Sequence, residues 1–196
     1  MKKFFVDHSY DMVKMFLNQF AIAIFGFSLS LAAGKAESIA LRNVASVFSI
    51  LFYLFLLYTM TWDIGYRDKI SIDVGKKKHN PWKGALISLC ANSVNFLLAI
   101  FITLMLWFDI PMLESIGSVS SFVALLIEGM YTGILANSVG GVPLNALWFM
   151  YFLIPIPSII VCGISYNFGA HDVKFTSVFN KQAYPESDRE PKQRKD

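Results

Sequence analysis

Glu128 is the side chain in this sequence best placed to do chemistry. It sits in the run LLIEGMYT, with apolar residues close on both sides. An acid in such surroundings loses its hydration, which favours the neutral form unless a cation or water reaches it. The chemistry open to it is proton coupling, ion ligation or contact with a solute. The plainer alternative is a carboxyl in the outer headgroup zone, or one bonded to a neighbouring span. Ser121 and Thr132 fall near the same helical face and suit either reading.

A second constellation is the stripe Ser88, Asn92, Asn95, Ala99 and Thr103. Steps of three and four place these residues on one face of a helix. Amides facing hydrocarbon would lack partners, so the stripe is expected to face other helices. It could coordinate a solute or ion, or simply hydrogen-bond across helices. Asn18 and Gln19 are its expected partners. Asn145 is a weaker candidate, because it falls close to an expected membrane interface.

The third constellation is basic. Lys76, Lys77 and Lys78 are consecutive, and Lys83 follows closely. Each base near an anionic leaflet contributes about 1 kcal/mol. Orientation and contact with anionic headgroups are the plain reading. Docking of another protein is the sharper one.

Enzyme motifs are missing. The sequence has no GxSxG, no P-loop and no HExxH. Asp63, Asp68 and Asp73 are evenly spaced but match no metal signature, and they are expected to balance nearby lysines. His8, His79 and His171 fall in loops or flanks and suggest no metal site. Cys90 and Cys162 lie in apolar runs and read as free thiols used as small apolar side chains. No catalytic residue, metal or cofactor is implied, and no motif assigns the chain to a family.

The elements that must position these groups are membrane helices. Of 196 residues, 55% are hydrophobic and only 16% are charged. The apolar residues come in blocks that reach the ~20 residues needed to cross hydrocarbon. A soluble globular domain, a disordered chain and a disulfide scaffold are excluded. The net charge of +3 is carried by loops and tails, so it points to headgroups rather than nucleic acid.

The expected fold is an all-α polytopic helical membrane bundle. Residues 1–14 read as an amphipathic cytoplasmic lead-in, and 15–166 as the bundle. Spans are expected over about 15–33, 44–62, 85–108 and 142–166, with a re-entrant or interfacial helix over 119–139. Pro155 and Pro157 should kink the last span. Residues 167–196 read as a polar cytoplasmic tail with a disordered end. In the first span, Gln19, Ala23, Gly26, Ser30 and Ala33 share a face of small or polar residues that should meet another helix.

Basic residues choose the topology. With four spans, 15 of the 17 Lys and Arg lie on the cytoplasmic side together with both termini. With five spans the split is 9 to 8. The positive-inside rule favours four, and five is the alternative. A multi-pass cell-membrane protein is therefore expected, and the Phe, Ile, Lys and Asn content suits an AT-rich bacterial genome. Two functions fit. One is a transporter or transporter membrane subunit, with a polar path near Glu128 and Asn92 or Asn95. The other is a non-catalytic accessory protein that binds other membrane subunits.

Overall fold

The computed structural model describes residues 2–76, 78–108 and 110–173. Two long helices lead. α1 (Lys2–Lys35) turns through a short corner into α2 (Ile39–Asp73), where the Ser38 hydroxyl caps the new helix by accepting from the Leu41 amide at 3.2 Å. The helices run antiparallel, since Asn18 reaches Met60 while Gly26 lies against Ser49. The expected small-residue face is the one that packs: Gln19, Ala23, Ser30 and Ala33 are buried. The opposite face carries exposed Leu17, Phe20, Ile24 and Leu31.

Both helices are longer than the sequence suggests. The expected lead-in over 1–14 is not a separate element, because nothing there breaks a helix and His8 pairs with Asp11 one turn on at 3.2 Å. The second span, expected to end near residue 62, stays helical up to Asp73, and Arg67 pairs with Asp63 at 3.2 Å. Gly75 ends α2 at φ +74, with amides of Gly75 and Lys76 closing on Ile72 and Ser71 at 2.8 and 2.9 Å. That is a Schellman stop, which only glycine adopts without strain.

The third apolar stretch is broken. α3 (Lys83–Ala91) and α4 (Ser93–Trp107) meet at Asn92 with a 52° bend. The Asn92 side chain donates to the Ser88 carbonyl at 2.8 Å, a local bond of the kind that competes with a regular helix.

The expected helix over 119–139 is divided further. α5 (Pro111–Ile127) starts on a proline, a favourable first-turn residue, and stops at Glu128. A 3-10 turn at Gly129–Tyr131 and α6 (Thr132–Leu135) follow after an 80° bend. A two-strand hairpin then pairs β1 (Ser138–Val139) with β2 (Val142–Pro143), turning at Gly140 and Gly141 with φ +62 and +82. Positive φ at both central residues is what this tight turn demands. The last expected span over 142–166 is thus shifted, because its start is spent on the hairpin. α7 (Met150–Leu153) and α8 (Ile156–Ala170) carry the chain on, parted at Pro155.

All-helical architecture is confirmed apart from that hairpin. Among the described residues, three helical stretches are long and apolar enough to cross a membrane, and up to five if each bent pair is one span. The core joins all of them through Met15, Leu57, Ile87, Met130, Cys162 and Tyr166. Glycines allow the closest approaches. Gly169 lies against the Trp62 backbone and Gly65 against that of Tyr166, so α2 and α8 touch main chain to main chain. The predicted tail beyond 173 and Lys77 lie outside the described residues.

Candidate functional site

Glu128 occupies the bend after α5 and is 2% exposed. The chain turns there because Gly129 fits closely under α1. A Cβ on Gly129 would lie 2.6 Å from the Ala23 carbonyl oxygen. The Gln19 amide donates to the neighbouring Ile127 carbonyl at 3.4 Å. Further on, the Gly133 amide donates to the Ser46 hydroxyl at 2.9 Å and seats α6 on α2. The bend is therefore held on both long helices.

A cavity of about 1000 Å³ opens over this bend. It is bounded by the end of α1, the start of α2, α5, α6 and α7. Its charged lining residues are Glu128, Arg42 and Lys35, and most of the remaining wall is apolar, with Phe27, Leu31, Leu125 and Leu135. Ser121 and Thr132, expected on the face of Glu128, line it as well, and so does Asn145.

Neither carboxyl oxygen of Glu128 has a hydrogen-bond partner among the described residues. The nearby hydroxyls are committed elsewhere. Thr132 donates to the Gly129 carbonyl at 2.7 Å, Ser121 to Gly117 at 2.9 Å and Tyr151 to Asn145 at 3.0 Å. Charged or neutral, a buried carboxyl needs a partner, and leaving it alone costs on the order of 1–3 kcal/mol. The Nε of Arg42 is likewise buried and without a partner among the described residues. Arg42 and Glu128 face one cavity without bonding to each other.

The amide stripe forms a different site. Asn95 donates to the Asn92 side-chain oxygen at 2.9 Å, and Asn92 donates to Ser158 of α8 at 3.1 Å. Ser158 donates to the Pro155 carbonyl at 2.7 Å, and Ser88 lies within reach of Asn92 at 3.3 Å. All four are buried, so the stripe faces helices, as its spacing predicts. None of them lines the cavity at Glu128. The expectation of one polar path shared by Glu128 and Asn92 or Asn95 therefore does not hold for this cavity, because neither amide lines it and Asn92 is turned to Ser158 of α8. Asn18 and Gln19 are not the partners of the stripe either: they bond to Met60 at 3.8 Å and to Ile127.

The basic cluster also divides. Lys76 and Lys78 are exposed. Lys83 is mostly buried and paired with Asp68, and its ammonium lies 5.9 Å from the Tyr166 ring centre. That leaves Lys83 unsuited to docking. Among the described residues no three His, Cys, Asp or Glu side chains converge as metal ligands would.

Sequence reasoning did not single out Arg42. One signal was available, since a base at the start of a helix opposes the helix dipole and calls for a reason. Tyr151 was missed because a tyrosine in an aromatic run carries no distinguishing pattern. Compared with known proteins, the chain matches no family model, no curated protein and no solved structure.

Proposed function

We propose that this chain is a multi-pass membrane protein that binds a small solute through a cationic group at Glu128, as a transporter or as the membrane subunit of one. The observation that carries the reading is the buried Glu128 carboxyl, which faces a large cavity with no partner for either oxygen among the described residues. An ionisable residue inside an apolar bundle is costly to keep, and function is the usual reason for keeping it. An ammonium or a proton would supply what the neighbouring hydroxyls do not.

The arrangement we propose has four crossings and a re-entrant segment over 111–135, entered and left at the end of the bundle that holds Lys35 and Arg42. Irregular backbone at membrane depth is tolerated where it lines a cavity, which is how the bend at Glu128 would be used. The lysine-rich end, with both termini, would face the cytoplasm, where Lys76 and Lys78 meet anionic headgroups.

The test uses the purified full chain in proteoliposomes under an inside-negative potential and equal pH on both sides, with radiolabelled methylammonium, whose N–H groups can donate to the carboxyl, as the probe. Wild type should bind and accumulate it. Glu128→Gln should do neither while its yield and unfolding midpoint stay at wild-type values. Equal accumulation by wild type and variant, or no binding by wild type, would overturn the reading.

A further inference from the structure

The cavity holds two unsatisfied groups of opposite charge. Glu128 presents both oxygens and Arg42 presents its Nε, and all three atoms are buried without partners among the described residues. Their positions are linked. Gly133, five residues after Glu128, packs against Arg42 so closely that a Cβ there would lie 3.0 Å from Arg42 Cγ. Five residues of helical chain rise about 8–10 Å. Arg42 therefore meets the wall beside Gly133, away from the backbone of the acid, with Lys35 also in the wall. No salt bridge joins the acid and the base, and the wall around them is largely apolar.

Resting on the reading of Glu128 above, we propose that the cavity takes a zwitterion, with an ammonium group on Glu128, a carboxylate or phosphate on Arg42, and an apolar body along Phe27, Leu31 and Leu125. A ligand carrying only an amine would leave the Arg42 Nε without a partner, and one carrying only an acid would leave the carboxyl without one. Charge-assisted hydrogen bonds at both ends are the strong ones, and guanidinium suits either oxyanion. Two sources share this chemistry, a free apolar amino acid and a phosphoethanolamine lipid headgroup.

The experiment measures binding to the full chain in detergent by titration calorimetry, with four probes. L-phenylalanine and phenethylamine differ by the carboxylate alone. Dihexanoyl phosphatidylethanolamine carries an ammonium on its phosphate headgroup, where dihexanoyl phosphatidylglycerol carries two hydroxyls and no amine. At least one zwitterion should bind tenfold or more tightly than its counterpart, and which one does identifies the source. Arg42→Gln should bring L-phenylalanine down to phenethylamine, or abolish the gain of the phosphate lipid. Arg42→Lys, which keeps the charge, should restore part of it and separates a lost contact from a lost fold. If phenethylamine binds in a Glu128-dependent way and neither zwitterion binds better, the zwitterion proposal fails while the cationic reading stands. If no amine binds, or binding survives Glu128→Gln, both fail.

Discussion

The Asn137 side-chain amide donates to the Asn43 side-chain oxygen at 2.8 Å, across 94 residues of chain. Asn43 lies one turn into α2, just past the corner that α1 and α2 share. The segment that begins at Pro111 goes inward to Glu128, bends and comes back to that corner. A second contact marks the same return. The Trp107 ring at the end of α4 meets the Trp148 ring ahead of α7 at 5.4 Å. The cavity is what this excursion leaves between α1, α2 and α5.

Site-directed labelling tests the topology that follows. In a background of Cys90→Ser and Cys162→Ala, single cysteines are placed at Ala36, Ser138 and Lys78, all exposed positions. A membrane-impermeant maleimide applied to right-side-out vesicles should modify Ala36→Cys and Ser138→Cys. Lys78→Cys should react only in inside-out vesicles. Reaction of Ser138→Cys in step with Lys78→Cys would mean that residues 111–135 cross, and that five spans are right.

Much of this was legible in the sequence where a periodic pattern met a single neighbour. The face of Gln19, Ala23 and Ser30 and the stripe of Ser88, Asn92 and Asn95 are buried as their spacing predicts. Periodicity names a face, though, and not what lies across it. Thus Asn92 met Ser158 rather than Asn18 or Gln19. The breaks were harder to see. Asn92 carries a local side-chain bond to Ser88 at the break in its helix, a competitor that apolar periodicity does not register, and Glu128 stops α5 because Gly129 must sit under Ala23. Neither cause shows in the spacing of apolar residues. The charged stretch from Asp63 to Asp73 read as a loop because its charges are dense, whereas pairing along the helix keeps it regular.

Glycine contacts give a prediction with its own control. A Cβ on Gly169 would run into the Trp62 carbonyl and sit 3.0 Å from the Tyr66 nitrogen, both rigid backbone atoms. Gly169→Ala should therefore push α8 from α2 and cost about 1–3 kcal/mol, as overpacking does. Gly34, in the last turn of α1, has nothing within 4 Å of such a Cβ. Gly34→Ala should be neutral, or stabilise by up to about 1 kcal/mol through helix propensity. Unfolding midpoints in one detergent, followed by tryptophan fluorescence, compare the two. Equal midpoints for both variants would mean that α2 and α8 are not in main-chain contact.

The end of the bundle away from the cavity is held by charge. Asp68 in α2 accepts from the Lys83 ammonium at the start of α3 and from the Tyr166 hydroxyl of α8 at 2.9 Å. The Lys83 and Asp68 side chains are only 12% and 8% exposed, so the pair is shielded from water. A buried pair adds little net stability over apolar packing, but removing one partner strands the other charge. Asp68→Asn should thus destabilise by about 3 kcal/mol, leaving the ammonium in a crevice without its carboxylate. Lys83→Met alone takes the ammonium from Asp68 but leaves it the Tyr166 donor, and should cost less, about 2 kcal/mol. The double variant Asp68→Asn with Lys83→Met removes both charges and should recover most of the loss. Tyr166→Phe, which deletes one neutral donor, should cost about 1 kcal/mol. The double-mutant cycle, read from unfolding midpoints, decides the matter: additive losses would mean that the two charges do not sense each other. Strong coupling would identify this pair as the tie that fixes the start of α3 against α2 and α8.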